Sequence, residues 1–360
     1  MNNRNSKLEL LRIISITFIV LSHYVVHSGF DIHNLPFGFN KLILELGILG
    51  NVGTTLFVLI SGYFLINSNK IKLKKIIHFW LQVFFYSILI YLIMVLLNKE
   101  SFNIKSLMLN LFPITFKRYW FATVYFIMYL FHPYINKFIN ALSQKEHFRF
   151  IFLCVTIFYF MSTVTTMDYY GNELIYFLII YVIGAYLSKY KNNFLYKNNN
   201  SFKIMIISII FIFSSILSFE LIGLKISFFK SHSTYFLNMY SVFALLFSVS
   251  FFAFFAQLSP TSNRIINGIS ELVFGVYLIS DNKYLRGIIW CNLLKNKDFF
   301  MSDFLILHIF GSILIVSISC LFIELVRKKV FDIFIYKWLE PKIDNLECHF
   351  LKNNHLLNVE

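Results

Sequence analysis

Long apolar runs recur along this chain, and they constrain its fold more than any other feature. Ten of them lie near residues 8 to 30, 42 to 66, 79 to 97, 119 to 139, 150 to 166, 174 to 188, 203 to 222, 236 to 258, 265 to 280 and 303 to 325. A helix needs about twenty apolar residues to cross the hydrocarbon core of a bilayer, which is the scale of these runs. Lipid offers no partner to a backbone N–H or C=O, so each crossing segment must satisfy its own backbone as a helix. Composition agrees: 58% of the residues are hydrophobic and only 14% charged, against roughly a quarter charged in soluble domains. The expectation is an all-α, polytopic transmembrane helical bundle of about ten spans, with residues 1–325 as the membrane domain and 326–360 as a cytoplasmic tail. Pro341 and the mixed charges around it suggest that the tail is partly ordered.

A net charge of +14 raises the question of nucleic acid. The basic residues, however, sit in short clusters between apolar runs, where membrane topology accounts for them, and no nucleic-acid binding is expected. With the N-terminus inside, twenty Lys and Arg residues fall on the inner side and eleven on the outer, leaving Arg12 within the first helix. Both termini are therefore expected in the cytoplasm. Arg4 and Lys7 before an apolar segment resemble a signal peptide, but Glu9 and Arg12 interrupt that segment and no small-residue cleavage pattern follows near Ser28 and Gly29. It is expected to be retained. Cys154, Cys291, Cys320 and Cys348 are scattered and define neither a disulfide framework nor a metal-ligand spacing, and no metal is expected.

The first run, LELLRIISITFIVLSHYVVHSGF (Leu8 to Phe30), carries Glu9, Arg12 and His23. Ionisable groups inside a membrane helix are costly and usually face a protein interior or an aqueous cavity. At about 100° per residue, Arg12 and His23 fall roughly 20° apart on the helix, with Glu9 inside a sector of about 60°. One polar stripe therefore climbs an otherwise lipid-compatible helix, with His23 about 16 Å beyond Arg12. A neutral imidazole can take a proton from a hydroxyl near physiological pH, as general-base acyl transfer requires. Arg12 keeps its charge and offers a fork of donors to phosphate or carboxylate oxygens. The structural alternative pairs Arg12 with Glu9 at i, i+3 and bonds His23 to a neighbouring helix.

Further along, FVLISGYF (Phe57 to Phe64) places Ser61 and Gly62 near a helix end, where close helix packing is the commoner use and a hydroxyl donor the alternative. NSNKIKLKKIIH follows, with Lys72 and Lys75 spaced to share a face. They can hold nucleotide phosphates, although the positive-inside rule alone accounts for them and is favoured from this stretch. Tyr119, Trp120 and Phe121 open the fourth span as interfacial aromatics, and Pro133 can bend it around a cavity. The two long outer loops, Asn98 to Arg118 and Asp281 to Ser302, contain IKSLMLNLF and YLRGIIWCNLL. Both suit short helices at the membrane surface, as headgroup anchors or as the floor of an outer site. Asp281 reads as a solvated helix-end residue, and His27, His33, His132 and His308 show no spacing that raises them above packing or surface roles.

In this order, the pieces resemble the acyltransferase family 3 membrane proteins, which include bacterial sugar and polysaccharide O-acetyltransferases. The matching features are LRIISITFIVLSH with Arg12 and His23, LFVLISGYF, the lysine-rich turn, YWFATVYFIMYLFHPYIN (Tyr119 to Asn136), FGVYLIS (Phe274 to Ser280) and FIELVRKKVF (Phe322 to Phe331). The resemblance implies transfer of an acyl group from cytoplasmic acyl-CoA, most simply acetyl-CoA, to a hydroxyl on a glycan or glycolipid acceptor beyond a bacterial cytoplasmic membrane. It also implies His23 as the essential catalytic residue, Arg12 as its catalytic companion, and Arg12 with Lys72 and Lys75 on the donor side; Glu9, Ser61 and Trp120 would support them. The family often has an Arg, two residues, Arg pair where Lys72 and Lys75 stand, and a histidine where Ser280 stands, so no catalytic role carries over to Ser280. Some polysaccharide-modifying relatives have a following esterase-like domain that is not seen here, so the helices engage the acceptor or a separate extracytoplasmic partner completes the transfer. The rival class is a polysaccharide exporter or polymerase without acyl transfer. Such proteins tend to show internal repeats with broken midplane helices, and none stands out here.

Overall fold

The computed structural model describes residues 5 to 165 and 172 to 353, the last eight as backbone alone. Arg4, residues 354–360 and the side chain of Cys348 lie outside the described part. Every regular element among the described residues is helical. In chain order these are α1 (Ser6–Val26), α2 (Phe39–Leu46), α3 (Gly50–Leu65), α4 (Leu73–Leu96), α5 (Ile104–Leu111), α6 (Trp120–Ala141), α7 (Gln144–Val155) and α8 (Met161–Thr165). They continue as α9 (Glu173–Lys189), α10 (Asn200–Gly223), α11 (Ser227–Ser231), α12 (Val242–Gln257), α13 (Arg264–Ser270), α14 (Val273–Ser280), α15 (Leu305–Phe331) and α16 (Lys337–Asn353).

Seven helical segments are long and apolar enough to cross a membrane: Ser6–Val26, Phe39–Leu65, Leu73–Leu96, Gln144–Thr165, Asn200–Gly223, Ser227–Gln257 and Leu305–Asn345. The three other expected spans are helical too, as α6, α9 and the α13–α14 pair. The last two are short, and α6 is diluted by polar residues such as His132 and Asn136, which are fully buried against the helices around them.

Several boundaries differ from the sequence reading for identifiable reasons. The run at 42 to 66 is two helices, because the chain turns at Gly47 and restarts at Gly50. The run at 150 to 166 begins earlier, at Gln144, where Ser143 and Glu146 form a reciprocal capping box. The run at 265 to 280 breaks between Ser270 and Val273. Beyond α15, a π-helical turn at Asp332–Tyr336 leads directly into α16, so the expected partly ordered tail is helical through Asn353. Pro341 is accommodated one turn into α16, just past the displaced hydrogen-bond ladder of that π turn.

The core is built on α1, which packs against α3, α12, α13, α14 and α15. On its other side α3 packs along α9. Glycines set both approaches. A Cβ on Gly53 would stand 2.5 Å from the Ser15 carbonyl of α1, and one on Gly62 only 2.2 Å from the Tyr181 carbonyl of α9. The packing role expected of Gly62 is therefore realised, while its neighbour Ser61 points elsewhere.

Candidate functional site

The polar stripe on α1 meets two different environments. Near its N-terminal end, Glu9 is buried and accepts from Arg12 Nη1 through both carboxylate oxygens, at 3.1 and 2.9 Å. The same Arg12 lines a cavity of about 270 Å³ together with Ser61, Phe64, Lys75, Phe79 and Tyr125. A second cavity of similar size shares Arg12, Ser61, Phe79 and Tyr125 and extends to Phe121, Val273 and Phe274. Ion pairing with Glu9 and exposure to a cavity thus coexist: the carboxylate aims the guanidinium while leaving it at the cavity wall. Ser61 Oγ donates to the Phe57 carbonyl at 2.9 Å and lies 3.0 Å from Tyr125 Oη, so its hydroxyl also faces this space.

Of the two lysines expected to act together, only Lys75 lines the cavity. Lys72 is the exposed cap residue preceding α4, with extended backbone. The i, i+3 spacing argument assumes that both lie within one helix, and the helix begins one residue too late for that. Trp120 starts α6 and packs edge-on against Phe121 and Phe177, ring centres 6.1 Å apart in each case.

Past the second cavity stands an aromatic partition. Tyr277 of α14 contacts Phe121 at 5.5 Å, Phe274 at 6.0 Å, Tyr119 at 6.1 Å and His23 at 6.5 Å between ring centres. His23 lines neither cavity; it sits in a polar cluster of its own. Its Nδ1 is 3.1 Å from Ser280 Oγ, and its Nε2 is 3.8 Å from Asp281 Oδ1. Asp281 Oδ1 is also 3.1 Å from Nε2 of His27, whose ring lies 5.1 Å from that of His23. Burial works against ionisation of Asp281. The hydrogen bond from His27, the two imidazoles beside it and the charge of Arg286 outweigh it, holding the carboxyl below the ordinary aspartate range.

Two of these residues correct the sequence reading. His27 does have a partner spacing, because it lies four positions after His23, which places both rings on one face of the helix and its C-cap. Asp281 is not simply solvated: its side chain is only 14% exposed and contacts that histidine pair. The i, i+4 histidines were visible in the sequence. Asp281, more than 250 positions away, required the fold. Ser280 is fully buried and lies 3.1 Å from the His23 ring nitrogen Nδ1.

The two long loops also converge here. Asn282 donates to Tyr119 Oη at 2.6 Å, while Asn110 on α5 and Arg118 both donate to Tyr284 Oη at 3.0 Å. These bonds tie the first long loop to the residues directly after Asp281.

A histidine braced by a hydroxyl and a carboxylate thus stands on the same helix as a guanidinium at a cavity wall. The acyltransferase family 3 profile, described as an acyltransferase domain, matches residues 5–328. The chain belongs to that family. As a member it is a multi-pass membrane acyltransferase, and the match takes in both α1 environments and the cap at Ser280 and Asp281. No curated protein and no solved structure matches the chain.

Proposed function

We propose that this acyltransferase moves an acyl group, most simply acetyl, from cytoplasmic acyl-CoA to a hydroxyl of a cell-envelope or secreted glycan, as an O-acetyltransferase of a bacterial cytoplasmic membrane. The observation carrying the proposal is that α1 carries both an Arg12 cavity and a His23 cluster, and that they meet at Tyr277, whose ring contacts Phe121 and Phe274 of the cavity as well as His23. With the lysine-rich turn inside, the Arg12 cavity faces the cytoplasm and His23 lies towards the outer surface.

The division assigns chemical roles. Each cavity is at the small end of ligand-site volumes, so it suits the slender pantetheine arm, while the nucleotide stays at the mouth beside Lys75 and the exposed Lys72. Arg12 binds the anionic or polar part of the donor there. Its rise of about 16 Å from His23 removes it from the reacting carbonyl, so it is a donor-binding group rather than an oxyanion stabiliser. At the outer cluster, Nδ1–H of His23 donates to Ser280 Oγ and Nε2 is the base. The acceptor oxygen attacks the thioester carbonyl, its proton passes to Nε2, and the C–S bond breaks. His23 then returns the proton to the departing thiolate. Asp281, held by His27 and 3.8 Å from the same Nε2, stabilises through its charge the imidazolium formed in between.

The test is transfer of label from acetyl-CoA to glycan by membranes containing wild-type or His23→Ala protein at matched insertion. Loss of transfer supports the assignment; wild-type transfer by the variant sinks it. Glycan from a deletion strain gives the physiological arm, since unchanged O-acetyl content with shortened or retained chains would mark an exporter or polymerase instead.

A further inference from the structure

We propose that His23, His27 and Asp281 form a binding site for a divalent transition-metal ion of Zn²⁺ type, and that its capture occupies the lone pair of His23 and stops acyl transfer. The binding claim stands on geometry; the inhibitory claim rests on the role proposed above for His23.

His23 and His27 leave the same face of α1, one turn apart. Asp281, at the end of α14, supplies a third donor from across the packed interface. Its Oδ1 is 3.1 Å from His27 Nε2 and 3.8 Å from His23 Nε2, and one ligand atom from each of the three residues lies within 4.8 Å of the others. Zinc bonds to imidazole nitrogen and carboxylate oxygen are about 2.0–2.2 Å, which sets tetrahedral ligands about 3.3 Å apart. Capture requires the three atoms to close to that spacing and the proton on His27 Nε2 to leave, to Nδ1 of the same ring or to water. Two imidazoles and one carboxylate leave a fourth position open, a donor set characteristic of zinc sites that keep an exchangeable ligand.

The surroundings are those of a built site. Ser280 Oγ engages His23 Nδ1 at 3.1 Å, so Nε2 is the nitrogen turned to the triangle; such an outer hydrogen bond fixes the ring of a ligating histidine. The three side chains are between 12% and 14% exposed, shielded yet within reach of solvent. Arg286 adds an opposing charge near Asp281. That repulsion weakens ion binding and suits reversible capture better than permanent loading. Because the ligand atom on His23 is the one assigned as base, an ion and an acceptor hydroxyl compete for it.

Full-length protein, purified in detergent and stripped with EDTA, is titrated with Co²⁺, whose visible bands report coordination, and then with Zn²⁺. The expected result is one equivalent of Co²⁺ with bands of tetrahedral intensity, bleached by Zn²⁺. His27→Ala and the near-isosteric Asp281→Asn should each weaken Co²⁺ binding at least tenfold while eluting as wild type does on gel filtration. In the transfer assay, the Zn²⁺ concentration that bleaches Co²⁺ should block wild-type turnover, and EDTA should restore it. Absence of bands in wild type, or bands unchanged in both variants, overturns the site. Bands that respond to the variants while transfer persists at saturating Zn²⁺ uphold the site and overturn its link to His23 catalysis.

Discussion

The bundle buries charge in two ways, and the chemistry proposed above belongs to only one of them. Lys41 of α2 is wholly buried, 2.7 Å from Glu220 of α10 and 3.8 Å from Glu45, which accepts from Ser233 at 2.6 Å. On α15, Glu324 takes two bonds from Arg327, at 2.6 and 2.9 Å, and others from Tyr86 and Gln82. Neither group borders the cavities beside Arg12. Arg12 and His23 have partners as well, but Arg12 faces open space and the His23 cluster retains partial exposure. Charge within a membrane helix is therefore a weak sign of function; charge braced on one side and open on the other is the stronger one.

The sharpest way to break this contrast is at His23. His23→Ala should lower turnover by about 10²–10⁴-fold, the usual contribution of a general base, with the protein inserting and melting as wild type does. Lys41→Met should do the reverse. Removing one partner of a buried pair typically costs about 3–5 kcal/mol, so this variant should lose much of its thermal stability in detergent while each folded molecule keeps wild-type turnover. If instead Lys41→Met melts normally and is catalytically dead, the distinction between closed and open charge fails.

These assignments show where the sequence was readable. The stripe on α1 followed from helical period alone, because 3.6 residues per turn fixes which side chains share a face before any tertiary contact forms. The bundle class followed from the length of the apolar runs. Hidden were features that depend on a few residues or on distant ones. The break at Gly47 lies inside a run whose average is strongly apolar despite Glu45 and Asn51, so hydropathy passes over it. Lys72 drops out of the cavity because α4 starts one residue later than the spacing argument assumes. Lys41, Glu45 and Glu220 give no local signal that they will meet, and neither do His23 and Asp281.

Arg12→Lys probes the donor side with an intermediate effect. Lysine preserves the charge but not the planar fork, and both bonds to Glu9 run through one guanidinium nitrogen. The expected outcome is a rise in donor KM of about tenfold, or about 1.4 kcal/mol of binding, with little change in kcat, measured by varying acyl-CoA at saturating acceptor. A loss confined to kcat would place Arg12 at the reacting carbonyl and contradict the spatial division of α1.

The smallest effect is expected at Ser280, and it tests the finest point of the comparison. If Ser280 only orients His23, then Ser280→Ala removes one neutral hydrogen bond, worth about 0.5–1.5 kcal/mol, and leaves the base and its carboxylate in place. Turnover should then fall by about three- to tenfold, donor KM should hold, and Ser280→Thr should recover activity because a hydroxyl is again offered to Nδ1. A loss as deep as that of His23→Ala, unrescued by threonine, would mean that the hydroxyl itself takes part in the chemistry. The outer cluster would then contain two reacting groups rather than one base and its supports.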